Sequence, residues 1–118
     1  MSSIDHLLPL KSSDAQILLA LASGPAYAYR IAGHIARETE GLVRLEAGNL
    51  HRTLRKLASS ALVEVCPPPP REVGEDPRRV YYRLTALGYA AMQADLSRLR
   101  DLVRSAERSG HLPSAEEA

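Results

Sequence analysis

The chain has 118 residues, with 15 Lys and Arg against 14 Asp and Glu, for a formal net charge of +1. That length suits one domain with a modest core, and near-neutrality means that any nucleic-acid footprint must come from placement of charge rather than its amount. With no Phe, no Trp and a single cysteine, Cys66, the core must be aliphatic, and both an intramolecular disulfide and a multi-cysteine zinc site are excluded.

Residues 12–22 read as a helix, with Ser12, Ser13 and Asp14 as cap candidates and Ile17, Leu18 and Leu21 on one apolar face. Gly24-Pro25 stops it. Residues 26–39 read as a second helix, lined on one side by Ala28, Ile31, Ala32 and Ile35 and ending at Gly41. In the third, residues 47–60, Leu50, Leu54, Leu57 and Ala58 form a narrow apolar stripe. At roughly 100° per residue, Arg52, Lys56 and Ser59 fall opposite that stripe, with Asn49 and Arg55 beside them and His51 on the flank.

The period then changes. Leu62 to Val65 and Val80 to Leu84 are β-rich, and alternation puts Val80, Tyr82 and Leu84 on one face, so Tyr82 is expected in the core and Tyr81 nearer solvent. Between these strands Pro67 to Pro70, Arg71, Gly74, Asp76 and Pro77 predict an exposed, extended hairpin loop. Cys66 reads as a packing residue at a strand end, because nothing basic adjoins it in sequence to favour a thiolate. Thr85 caps a long last helix whose Met92, Leu96, Leu99, Val103 and Ala106 alternate spacings of four and three, the seam of a dimerisation helix.

The expected fold is therefore mainly α (α+β): a winged helix-turn-helix with an N-terminal helix over 1–85, a C-terminal dimerisation helix over 86–109 and a flexible tail over 110–118. Ile4, Leu7 and Leu8 are candidates to join the partner's helix.

The third helix carries the chemistry. A recognition helix needs one apolar side to dock on its own domain and a free side bearing Arg or Lys for guanine edges and phosphates and Asn for adenine. Asn49, His51, Arg52, Arg55 and Lys56 meet that need; Arg78 and Arg79 on the wing are expected to lie exposed along the DNA backbone. Arg71 and Arg83 add charge there, and Glu72, Glu75 and Asp76 dilute it. Enzyme readings find no support: there is no phosphate-cradling glycine loop, no nucleophile elbow, and His6, His34, His51 and His111 are scattered without metal-ligand spacing. No cofactor, no metal and no catalytic residue is expected.

The run from Leu45 to Leu57 resembles the recognition-helix signature of the PadR family, with Glu46-Ala47 in place of its serine-proline and His51 in place of its tyrosine. Asp76 to Thr85 with Gly88 is similar to that family's wing strand and the turn into its last helix. Gly24-Pro25 with Tyr29-Arg30-Ile31 is similar to its second-helix opening, with Ala28 replacing a glycine. The resemblance, from about Ile17 to Arg104, implies a sequence-specific DNA-binding repressor that binds double-stranded DNA at an inverted repeat as a homodimer. It also implies that any small-molecule effector, of unknown identity, would sit between the last helix and the core. The absence of an apolar run near ~20 residues and of a secretory start predicts no membrane partner and a cytoplasmic location. The alternative is a winged-helix adaptor with weak or no DNA binding that acts through a protein partner.

Overall fold

The computed structural model describes residues 4–115. The outermost residues of the expected N-terminal unit and tail, 1–3 and 116–118, lie outside the described residues. A turn of 3-10 helix, Asp5–Leu7, leads into α1 (Ser12–Leu21), β1 (Ala26–Tyr27), α2 (Ala28–Glu38), α3 (Ala47–Ser59), β2 (Val63–Cys66), β3 (Tyr81–Leu84) and α4 (Ala86–Arg108). The strands form one antiparallel sheet in the order β1-β3-β2.

Two local expectations change. The second helix begins at Ala28 rather than residue 26, because Ala26 and Tyr27 are drawn into the sheet, paired with Tyr82 and Tyr81. Gly24, at φ +143°, and Pro25 deliver them extended. The first helix has no side-chain cap: Lys11 occupies that position, and Asp14 is buried one turn in. The end of α2 follows the sequence more closely. Gly41 N–H donates to Ala36 O at 2.7 Å and Glu40 N–H to Arg37 O at 3.2 Å, the paired bonds of a Schellman motif.

β3 is the central strand, with both edges paired; the helical core covers Tyr82 on one face, and Glu72 of the loop and the Tyr27 ring cover Tyr81 on the other. Tyr82 enters the helical core, but Tyr81 is buried too, at 3% exposure against 7% for Tyr82, which corrects its expected exposure. Val80, expected to share the face of Tyr82, precedes the strand and is exposed. Cys66 ends β2 and is buried, and that burial pushes its thiol pKa up.

The core joins Ile17, Leu18 and Leu21 of α1, Ile31 and Ile35 of α2, and Leu50, Leu54 and Leu57 of α3. Leu62, Val63 and Tyr82 close it from the sheet, and Ala91 and Met92 from α4. Burial of this aliphatic surface, at about 25 cal/mol per Å², is what fixes α3 to its neighbours.

The start of α4 is pinned tightly. Thr85 Oγ1 accepts from Gly88 N–H at 2.9 Å and donates to Ala61 O at 2.5 Å. Gly88 sits so close to Leu62 that a Cβ there would overlap the Leu62 carbonyl. Buried Asp95 accepts from Leu10 N–H at 3.1 Å and from Arg98 Nε at 3.0 Å, tying the N-terminal segment to α4. Beyond that point α4 leaves the domain, with Leu102 61% and Val103 45% exposed. The radius of gyration, 16.1 Å, accordingly exceeds the roughly 13–14 Å of a compact chain of this length.

Candidate nucleic-acid interface

The buried Leu50-Leu54-Leu57 stripe docks α3 on the domain and leaves its other side in solvent. Asn49, His51, Arg52 and Arg55 all stand exposed there. The helix contains no acidic residue, and Glu46 at its N-cap position makes no side-chain cap. Asn49 Oδ1 accepts from Arg52 Nη1 at 2.7 Å. Among the described residues neither Arg52 nor Arg55 is in an ion pair, so both present unneutralised charge.

Lys56 departs from the outward orientation expected of it. Its Nζ reaches across to α1 and meets Asp14 Oδ2 at 3.1 Å. The carboxylate is nearly buried and the ammonium half-exposed, so the pair lies at the rim of the α1–α3 contact. The two are 42 residues apart, a distance over which helix periodicity carries no information.

A groove of about 440 Å³ between α2 and α3 brings further residues to this side. Tyr29, Arg37, Arg44 and His51 line it, with small residues Ala32, Gly33 and Ala36 at its floor. The small-residue spacing on α2 is the signal that could have marked this face; Arg44 precedes any helical pattern and left none.

The wing is built differently. Its loop does not stay extended: a 3-10 turn at Pro70–Glu72 folds it back against α2. Glu72 accepts from Arg30 Nη2 at 2.6 Å and Nη1 at 3.0 Å, and Tyr81 Oη donates to the same carboxylate at 2.6 Å. Arg79 Nη1 lies 3.1 Å from Glu75 and 3.9 Å from Glu72, and donates to Tyr81 Oη at 3.3 Å. Arg79 and Arg30 both stack on the Tyr27 ring, at 4.2 and 4.8 Å. Tyr27 meets Tyr81 edge-on at 5.4 Å. The Arg30 hydrogen bonds, and then that from Tyr81, hold the Glu72 carboxyl down at a pKa of about 2.

This clasp corrects the expectation for Arg79. Its side chain is 23% exposed and locked between an aromatic ring and two carboxylates, whereas Arg78 is 89% exposed. Arg78 is nonetheless paired with Asp76, at 3.0 and 3.1 Å. Arg83 pairs with Glu64 across the hairpin at 2.7 Å. Arg71 is exposed and among the described residues makes no ion pair.

Two other features bear on function. Between α1 and α4 lies a cleft of about 260 Å³ lined by Leu19, Asp95, Leu96, Arg98 and Leu99. Among the described residues no helix is long and apolar enough to cross a membrane, and no three His, Cys, Asp or Glu side chains are grouped to hold a metal.

Three helices, the third with a solvent-facing basic side, and a hairpin wing packed against the second define a winged helix-turn-helix protein. Residues 17–94 match the transcriptional regulator PadR-like family, and the chain belongs to that family, whose members are regulators and not enzymes. Solved structures agree in fold. A PadR family transcription regulator from Clostridium difficile shares 24% identity, over 80% of this chain and 94% of that one, with a TM-score of 0.67. A PadR-like transcription factor from Bacteroides fragilis shares 20%, over 92% of this chain and 100% of that one, with a TM-score of 0.68. PadR of Bacillus subtilis, solved in complex with operator DNA, shares 19%, over 75% of this chain and 48% of that one, with a TM-score of 0.62. No match was found among curated proteins.

Proposed function

We propose that this chain is a cytoplasmic, homodimeric repressor that reads an inverted repeat in double-stranded DNA by setting α3 into the major groove. The observation that carries the reading is the solvent side of α3: Arg52 across from a fully docked leucine stripe, with Asn49 and Arg55 beside it and His51 on the flank, all exposed. A helix so mounted fits the groove and presents donors to base edges and phosphates. Lys56 joins by turning from Asp14 to a phosphate, while on the wing Arg78 lies beside the backbone and Arg79 follows only on leaving its clasp. The DNA complex of Bacillus subtilis PadR supports the assignment of partner.

In this reading residues 1–85 grip DNA, residues 86–109 pair two copies, and the tail over 110–118 takes part in neither. Of the seam, Met92 already packs in its own core and Leu96 lies against it, so Leu99, Val103 and Ala106, with Leu102, carry the contact between copies. Changing Leu102 and Val103 together to Lys should give folded monomers by sedimentation; an unchanged dimer removes α4 from the interface. An effector, where one acts, is expected in the α1–α4 cleft.

Titration of the purified protein against duplex DNA from upstream of its own coding sequence, at low and high salt, tests the core of the proposal. Affinity should fall steeply with salt, by about 10³-fold or more between 50 and 200 mM for a contact spanning six or more phosphates. The second reading, an adaptor that binds a protein partner, is favoured by the wing, where Arg78, Arg79 and Arg83 are already neutralised by the chain's own acids. Salt-insensitive or undetectable DNA binding would select it.

A further inference from the structure

Asn49 and Arg52 stand three residues apart on the exposed side of α3, close to its start, where base edges are met. Resting on the DNA-binding reading above, we propose that Asn49 is a positioning residue that aims Arg52 at a guanine, so that the pair reads guanine and Asn49 does not read adenine.

The argument is one of donors and acceptors. An asparagine reads adenine by donating from its amide nitrogen to N7 while its oxygen accepts from the N6 amino group. Here that oxygen is engaged by Arg52 Nη1 at 2.7 Å, and a guanidinium charge sits beside it. An adenine or cytosine amino group arriving there would meet another donor and a positive charge. What the pair still offers is N–H groups: those left on Arg52 and the two on the Asn49 amide. Guanine, with O6 and N7 both accepting on the major-groove edge, is the base that a donor surface of this kind fits.

The surroundings reinforce this. No carboxylate competes for Arg52: α3 has no acidic residue, and among the described residues Arg52 is in no ion pair. The hydrogen bond to Asn49 restricts a long side chain before DNA arrives, which lowers the ordering cost of the bidentate contact. Sequence position alone had assigned Asn49 to adenine; the bond to Arg52 reverses that.

The test is selection from a duplex library with a randomised core, using the purified full chain and the variants Asn49→Ala, Asn49→Asp and Arg52→Ala. Both side chains are exposed, and thermal melts should show all four proteins equally folded. The wild type should enrich a guanine at one fixed position of the half-site, and Arg52→Ala should lose it there and nowhere else. Asn49→Ala should weaken that guanine preference about tenfold, within the range of a bidentate contact, and lower affinity for scrambled duplex by far less. Asn49→Asp should keep the preference, because its carboxylate accepts from the same Nη1, while binding all DNA more weakly through repulsion from phosphates. An adenine at the Arg52-dependent position overturns the inference. So does Asn49→Ala with undiminished guanine preference, and so does Asn49→Asp behaving as Asn49→Ala does, which makes the amide donors the readers. Those results leave DNA binding standing; no enrichment by the wild type at any salt overturns the DNA-binding reading itself, and this inference with it.

Discussion

On α3, Arg52 and Arg55 stand in solvent on a helix without a single acid; on the wing, Arg78, Arg79 and Arg83 each hold a carboxylate partner. A count of basic residues alone would rank the two surfaces alike. Their bonding separates them. A free guanidinium can take a phosphate or a base edge by shedding only water, whereas a wing arginine must first give up an internal bond, and Arg79 a stacked ring as well. The wing's arginines thus act first on the protein itself, bracing the loop and hairpin that Arg30 and Glu72 tie to α2, and the α3 arginines are the ones at liberty to meet a partner.

The comparison can be broken most severely from beneath. Leu54 is completely buried under α3, and Leu54→Ala should cost about 2–5 kcal/mol in chemical denaturation, loosening the platform that presents Arg52. A smaller loss would mean that the stripe is not what mounts the helix. Arg52→Ala comes next: about 1–3 kcal/mol of binding lost on a preferred duplex, less on a scrambled one, with no change in melting temperature.

Glu72→Gln probes the other side. The wild-type carboxyl titrates near 2 instead of 4.5, so the clasp's contribution is complete above about 4.5 and fades as pH falls toward 2. Wild type should be the more stable at neutral pH, and its advantage over Glu72→Gln should shrink to nothing across that acid window, measured by denaturation at each pH. A constant difference would show that charge is not what Glu72 supplies. Arg79→Ala should likewise lower the melting temperature, in contrast to Arg52→Ala. The smallest effect belongs to Arg78→Ala: folding unchanged, all duplexes bound slightly less well, and a salt slope reduced by about one per half-site.

Element order and the docking stripe were legible in the residues because both are local. Leu50, Leu54 and Leu57 announce a buried side by spacing alone, and Thr85 marks the start of α4 by residue type. What escaped was decided at long range. Two residues, Ala26 and Tyr27, have no periodicity and become a strand only because β3 offers an open edge. Arg30 with Glu72, and Lys56 with Asp14, are each 42 residues apart; alone, Glu72 reads as a charge diluting the wing and Asp14 as a helix cap. Tyr81 was misplaced for the same reason: alternation assigns it to the outer face, and only the returning loop covers that face. Asp95, a charged residue in an apolar seam, gave no hint that the N-terminal segment would supply its partner. On the interface, the exposure of Asn49, His51, Arg52 and Arg55 followed from the stripe, while the hydrogen bond that joins two of them did not.

The seat of Gly88 has a mechanical consequence. With no room for even a methyl group between it and the Leu62 carbonyl, the joint between α4 and the reading head has no slack. A helix of 23 residues is about 35 Å long, so each degree of tilt at that joint displaces its far end by about 0.6 Å. A second copy held at that end would be carried along, and α4 would then behave as the arm of a calliper. The gap between two reading heads would be gauged at this glycine, far from any base.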